Sequence, residues 1–233
     1  MADALLKAYT QQQSPAVSGD GQFNAVRQTR TGELFAADWK TALAMRGKCY
    51  HVTVGSVAAG GNVAMITGGG AGTTVDSDKP ELIVQTPATH FHIPLSCRCA
   101  IQADLGAADL DEANIVLFAD TSPAALISTA TATSEVPVNL LGGGAGSIST
   151  VFSAVTADIT DPTSDMILDF STVQAAEVAA DGTISTELKM IFEPQVPIFL
   201  KGLCAVVLCW GGTAAAVGMA TYTWAEVPIS EIA

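Results

Sequence analysis

The sequence predicts a mainly β protein: a jelly-roll-type antiparallel β-sandwich behind an extended N-terminal arm, with at most one or two short helices. Three observations predict it. Charged residues make up only 14% of the chain and hydrophobic residues 49%, and the 21 glycines stand among abundant Thr and Ser. That is the composition of short strands joined by tight turns. Few segments hold the Glu, Lys, Arg and Leu mixture of an exposed helix. From Cys49 onward, apolar runs recur at regular spacing between turn residues such as Ala59-Gly60-Gly61-Asn62 and Asp181-Gly182, which suits a sandwich or jelly roll. At 233 residues the length fits one large domain or two small ones. No composition shift marks a second domain, so 1–47 reads as the arm and 48–233 as one sandwich.

The elements follow in order. Residues 1–30 are polar and Gln-rich, broken by Ser14-Pro15 and Gly19-Asp20-Gly21, and read as an arm that could not fold alone. Residues 33–46 are the best helix in the chain, with Thr31 as cap and Gly47 as stop. Leu34, Asp38 and Thr41 leave its apolar stripe incomplete, so an extended edge is the alternative there. Strands are expected at 49–57, 62–67, 81–86, 89–104, 113–119, 148–157, 165–171, 186–192, 197–201, 203–210 and 217–227. Three acidic loops, near 104–112, 158–165 and 177–187, belong at the rims. A Gly-rich echo, Gly68 to Thr73 and Gly142 to Ser147, lacks the Lys-Ser/Thr pair of a phosphate loop and opens no helix, so both copies read as loops between strands.

The formal charge of −13 is unevenly spread. Residues 1–48 hold six basic side chains (Lys7, Arg27, Arg30, Lys40, Arg46, Lys48) against four acidic ones, about +2, which leaves about −15 for the body. Such a body is repelled by phosphates, which argues against direct nucleic-acid binding. The same charge keeps an apolar protein soluble, or lets a mildly basic arm dock on an acidic neighbour. Five cysteines without a spaced framework point to synthesis in a reducing cytoplasm, and the N-terminus lacks the apolar core of a signal peptide. Gly202 to Ala225 carries no charge and is long enough to span a bilayer. It contains Gly211-Gly212-Thr213, however, and ends in the alternation Thr221-Tyr222-Thr223-Trp224. Two apolar strands around a Gly-Gly turn account for it better, and no membrane partner is expected.

One run invites a metal. Residues 89–99, Thr-His-Phe-His-Ile-Pro-Leu-Ser-Cys-Arg-Cys, hold two of three histidines and two of five cysteines. Alternate strand residues share a face, so His90 pairs with His92 and Cys97 with Cys99, and two nitrogens with two thiolates suit tetrahedral zinc. Seven positions separate His90 from Cys97, so a continuous strand puts the pairs on opposite faces, while a break or bulge at Pro94 would let them meet. Familiar zinc spacings are absent, and the preferred reading is a kinked body strand with its cysteines in the core and Arg98 pointing away. The histidines then line a subunit contact that loosens on protonation near pH 6. No catalytic constellation emerges: there is no Gly-x-Ser-x-Gly elbow and no His-Glu-x-x-His helix. His51 lies on a strand. Asp109, Asp111 and Glu112 cluster in a turn without the order of a calcium loop or the facing geometry of a glycosidase. No cofactor is expected.

Several stretches are familiar together: Gln28-Thr29-Arg30-Thr31-Gly32-Glu33, Met45-Arg46-Gly47-Lys48-Cys49-Tyr50, Glu81-Leu82-Ile83-Val84-Gln85-Thr86-Pro87, Ile93-Pro94-Leu95 and Tyr222-Thr223-Trp224-Ala225-Glu226-Val227-Pro228. In this order the chain resembles a loose group of virion structural proteins of tailed bacteriophages, with an N-terminal arm and a jelly-roll body of capsid or decoration type. The resemblance implies a non-enzymatic subunit in or on the virion, synthesised in the host cytoplasm and self-associating as a homotrimer. Its partners would be other virion proteins, above all the capsid shell. Its assembly arm would act through Lys7, Arg27, Arg30, Trp39 and Arg46. The group has no catalytic residues to carry over, and His90, His92, Cys97 and Cys99 are not characteristic of it. The acidic body favours the outer surface over a wall facing DNA. A tail or receptor-binding module shares the composition but would show fibrous repeats. A secreted lectin-like or hydrolytic jelly roll would need a signal segment and an aromatic or carboxylate groove.

Overall fold

The computed structural model describes residues 8–10, 26–28, 38–57, 63–67, 70–71, 75–105, 112–123, 132–160, 162–174, 184–212 and 216–231. In chain order the elements begin with β1 (Ala8–Thr10), β2 (Val26–Gln28), α1 (Trp39–Met45), β3 (Cys49–Val54), β4 (Ser56–Val57), β5 (Val63–Ala64), β6 (Ile66–Thr67) and β7 (Gly70–Ala71). The body continues with β8 (Leu82–Thr86), β9 (His90–Leu105), β10 (Glu112–Asp120), β11 (Thr133–Ser134), β12 (Val138–Asn139) and β13 (Thr150–Ser153). It closes with β14 (Met166–Gln174), β15 (Ile184–Phe192), β16 (Leu200–Lys201), β17 (Cys204–Gly212), β18 (Val217–Pro228) and a 3-10 turn at Ile229–Glu231.

Two sheets form the sandwich. The first runs β11-β13-β8-β17-β10-β14 and the second β12-β3-β18-β9-β15, with β16 on β9 and β6 on β18. Pairing is antiparallel throughout these paths, while β7 joins β17 in parallel and β1 pairs β2 in parallel. Successive long strands change sheet at nearly every connection: β8 to β9 to β10, then β14 to β15 to β17 to β18. Strand neighbours are therefore distant in sequence, which is the winding of a jelly roll.

The core lies between the sheets. Tyr50, Val52 and Val54 of β3, Cys97, Cys99 and Ile101 of β9, and Tyr222 and Trp224 of β18 meet Leu82 and Val84 of β8, Ile115 and Leu117 of β10, and Val206, Leu208 and Trp210 of β17. The alternate residues of β9 and β18 (Phe91, Ile93, Leu95, Ala225, Val227) form a second cluster with Cys49 on the outer side of the second sheet. Leu43 and Ala44 of α1 cover it. A third cluster, with Ile83, Phe118, Val207 and Cys209, lies outside the first sheet beneath Val75 and Ile159. The strands expected as continuous apolar runs are thus buried on both faces; all nine residues of β17 are buried.

Three expectations need correction. The described helix starts at Trp39, and its cap is Asp38, whose carboxylate accepts from the Thr41 amide at 2.9 Å and the Thr41 hydroxyl at 3.0 Å. A carboxylate satisfies an orphan first-turn amide directly; Thr31 lies outside the described residues. Gly47 does end the helix, at φ +67°. Gly211-Gly212 is strand, not turn: the pair closes β17, opposite Asn114 and Ala113. A Cβ built on Gly212 would stand 2.0 Å from the Glu112 carbonyl oxygen, so glycine serves a close backbone approach there. The uncharged stretch it belongs to forms β17 and β18, and among the described residues no helix is long and apolar enough to cross a membrane. The two-residue strands β11 and β12 fall where no strand was expected.

Gly218 tests the packing. A Cβ there would lie 2.7 Å from Ile101 Cγ2 and 3.0 Å from Trp210 Cε2. Gly218→Ala is expected to cost about 1–3 kcal/mol by overpacking, read as a lower urea midpoint with unchanged slope. An unchanged midpoint would refute the close packing of β18 on Trp210.

Candidate functional site

The 89–99 run is the first place to look for chemistry. His90 opens β9, and its Nδ1 lies 2.9 Å from the Thr89 hydroxyl. Across from β18, Pro94 pairs Trp224 and Ser96 pairs Thr223, so Leu95 is an extra residue in β9. This bulge shifts the phase of the strand: Ile93 and Leu95 face outward, whereas Cys97, Cys99 and Ile101 face the core. Pro94 is tolerated because β15 pairs β9 only from Cys97 onward and β16 only at Phe91 and His92, so its missing N–H costs no ladder bond. The kink is therefore where the sequence placed it. Cys97 and Cys99 are buried, and Arg98 points outward to Glu193 at 3.2 Å.

The bulge brings His92 to the same inner face as the cysteines, yet it is committed elsewhere. His92 Nδ1 is 2.8 Å from the Thr86 hydroxyl and Nε2 is 2.7 Å from the Tyr222 hydroxyl. Its ring lies nearly parallel to Tyr222 and Trp224. Burial lowers its pKa to about 3, so it is a neutral core imidazole. The expectation that it lines a subunit contact and titrates near pH 6 is corrected: the side chain is fully buried. Among the described residues, no group of three His, Cys, Asp or Glu side chains is placed to hold a metal ion. His90, His92, Cys97 and Cys99 do not form one.

His92 is one link in a buried chain that sequence reasoning missed. The Thr86 hydroxyl lies 2.7 Å from that of Ser149, and the Ser149 hydroxyl donates to Glu226 at 2.5 Å. As a carboxylate, Glu226 only accepts, which orders every proton in the row. Ser149 donates to Glu226, so Thr86 donates to Ser149. The Thr86 oxygen then accepts from His92 Nδ1–H, and His92 Nε2 accepts from the Tyr222 hydroxyl. Thr86 belongs to the first sheet, His92 and Tyr222 to the second, so the row ties the sheets together through the core. Glu226 takes further bonds from the Ser147 hydroxyl (2.5 Å), the Ile148 amide (3.0 Å), the Ser149 amide (3.3 Å) and Trp224 Nε1 (2.9 Å). These bonds anchor the 142–149 loop, the second member of the glycine echo. Asn139 holds its other end, donating to the carbonyls of Gly47 and Ala145 and accepting from the Leu141 amide. The sequence signal was the alternation Tyr222, Trp224, Glu226 on one face of a strand.

Five thiols complete the inventory, and all five are buried and unpaired. Burial raises Cys49 to about 11 and Cys97 and Cys204 to about 12, so none is a thiolate nucleophile at neutral pH. His51 lies on β3, 3.0 Å from the Thr223 hydroxyl and 3.2 Å from that of Thr53, and burial lowers its pKa. Asp109 and Asp111 lie outside the described residues. Of the arm residues, Arg27 is in β2, opposite Tyr9 of β1, and Lys7 and Arg30 lie outside the described set. Trp39 and Arg46 both stand on the helical side of an open groove of about 300 Å³ between α1 and Ile93, Phe199 and Val227. Arg46 bonds Glu231 at 2.6 Å, and Lys48 bonds the same carboxylate at 2.9 Å.

The surface also carries exposed apolar side chains. Val136, Val138, Leu140 and Leu141 are exposed beside β12, and Ile167 and Phe170 are exposed on β14. The fold and these surfaces define a jelly-roll β-sandwich in which, among the described residues, the buried polar side chains are tied up in internal bonds except for the Trp210 indole N–H, and whose edges carry exposed apolar side chains. No known family model matches the chain, and no curated protein sequence matches it.

Proposed function

We propose that the chain is a non-enzymatic structural subunit of a bacteriophage particle. In this reading it is a jelly roll of the capsid surface (decoration type) or of the capsid wall, self-associating as a homotrimer and binding neighbouring shell proteins. The observation that carries the reading is the exposed apolar edge of the sandwich. Side chains such as Val136 and Phe170, 86% and 65% exposed, are what a subunit keeps for a partner. The virion setting rests on the resemblance of the arm and body motifs to tailed-phage structural proteins. The acidic body, with its deficit of cations, favours protein neighbours over packaged DNA. The first part of the arm contributes Lys7, Arg27 and Arg30 as charges available to a neighbouring acidic surface. Trp39 and Arg46 meet the body at the α1 groove.

The test is mass in solution together with immunodetection in purified particles. The expected result is a stable oligomer that co-purifies with particles. A stable monomer that never enters particles would overturn the proposal.

A further inference from the structure

Helix α1 is weakly held. None of its seven residues is buried, and a helix this short does not persist in water without packing. Leu43 and Ala44 rest on the outer cluster of the second sheet. Trp39, Ala42, Leu43 and Arg46, spaced by three and four, form the side turned to the sheet. Those same residues line the groove of about 300 Å³ opposite Ile93, Phe199 and Val227, so much of that side meets the body across a groove. Trp39 and Phe199 on its walls are 38% and 50% exposed. The ion pairs sit at one end, where Arg46 and Lys48 bond the partly exposed Glu231. A 4.0 Å contact from Cys49 Sγ to the Lys40 carbonyl adds little. Firm attachment begins at Gly47, φ +67°. Its carbonyl accepts from Asn139 at 2.9 Å, the Lys48 carbonyl accepts from the Glu226 amide at 2.9 Å, and Cys49 opens β3.

We propose that α1 is a releasable latch: it unravels from the body on its own, hinging at Gly47, while the sandwich stays closed. Release does two things. It uncovers the apolar strip of Phe91, Ile93, Leu95 and Val227, which continues into Phe199 through the edge-on contact of the Phe91 and Phe199 rings, 6.1 Å apart. It also lengthens the tether of the arm, because everything before Asp38 is covalently joined to the body through α1. Residues 38–46, once extended, add roughly 30 Å of reach. The latch is a property of the fold and stands apart from the structural-subunit reading above.

Amide hydrogen exchange on the full chain, followed residue by residue across sub-denaturing urea, is the test. The amides of Ala42, Arg46 and Gly47 bond within the helix and its cap. They are expected to exchange at least about tenfold faster than those of β8 and β17. Their rates should also depend only weakly on urea, because a local opening exposes little surface. Asp38→Ala removes a carboxylate that bonds Thr41 within the same turn and should speed α1 exchange about fivefold, the effect of a lost cap. Glu231→Gln touches the helical side from outside it and should speed α1 exchange about threefold. Gly218→Ala, in β18, should speed β8 and β17 and leave α1 unchanged. Amides of α1 that share the rate and urea slope of β17 would show that the helix opens only with the body, which overturns the latch. A response to Asp38→Ala without one to Glu231→Gln would mean fraying in place, and overturns it equally.

Discussion

Replacing Glu226 with alanine is expected to destabilise the protein by on the order of 4 kcal/mol, because each buried donor left without its acceptor costs about 1–3 kcal/mol and these losses overlap. The carboxylate takes the hydroxyls of Ser147 and Ser149, the amides of Ile148 and Ser149, and the indole N–H of Trp224. Glu226→Gln keeps one acceptor oxygen and turns two donor hydrogens toward groups that already donate, so it should fall between alanine and wild type. Ser147→Ala removes two bonds at the edge of the network, the one it donates to Glu226 and the one it accepts from the Ser149 amide, and should cost about 1–2 kcal/mol. Urea denaturation orders the three. Limited proteolysis supplies a second readout, because cleavage within 142–148 should accelerate in Glu226→Ala before global unfolding. If the alanine variant matched wild type in both measurements, the carboxylate would not be the anchor of this loop.

The second large effect is acid lability from His92. In the unfolded chain the imidazole titrates near its ordinary value of 6.5, whereas burial lowers the folded value to about 3. Between those values the unfolded state binds a proton that the folded state refuses, so stability rises with pH there and is lost as pH falls from 6.5 toward 3. The full loss is on the order of 5 kcal/mol, at about 1.4 kcal/mol per pH unit. Protonation would also break the row, since Nε2 would become a donor facing the hydroxyl that donates to it. Urea midpoints of wild type and His92→Gln across pH 7 to pH 4 isolate this contribution. The variant, neutral throughout, should show a slope shallower by about one proton. Parallel slopes would show that His92 is not a buried neutral group.

Strand existence was legible because it rests on local signals: β-branched and small residues in runs, bounded by Gly, Pro and Asp. Each expected strand of the body from 81 onward has a counterpart, and β9 extends only one residue beyond its expected end. The bulge at Leu95 was legible as a kink because proline lacks an N–H. The inward cysteines and outward Arg98 were legible as well, but the inward turn of His92 was not, since it depends on the bulge and on the strands that pack around it. The same limit hid the Glu226 row: the Thr86–His92 pair, Ser149 and Glu226 come from three distant stretches and meet only once two sheets stack. Gly212 shows a further limit. A glycine pair in an apolar run signals a turn or a close approach equally well, and only the neighbouring strand decides. The metal reading of 89–99 had suitable ligand types, but ligand type carries no knowledge of the hydroxyls that claim His92.

The five unpaired thiols give the fold a built-in clock. Each is buried, and Cys49, Cys97 and Cys204 have pKa values raised to about 11 or 12 by that burial. Alkylating reagents and oxidants act on the thiolate, so in the intact sandwich they find nothing to attack. Modification then proceeds only as fast as strands part. Cys49 sits beneath α1, Cys97 and Cys99 face the core from β9, and Cys204 and Cys209 lie in the central strand of the other sheet. The order in which these five sites are modified is therefore a record of which layer of the sandwich opens first.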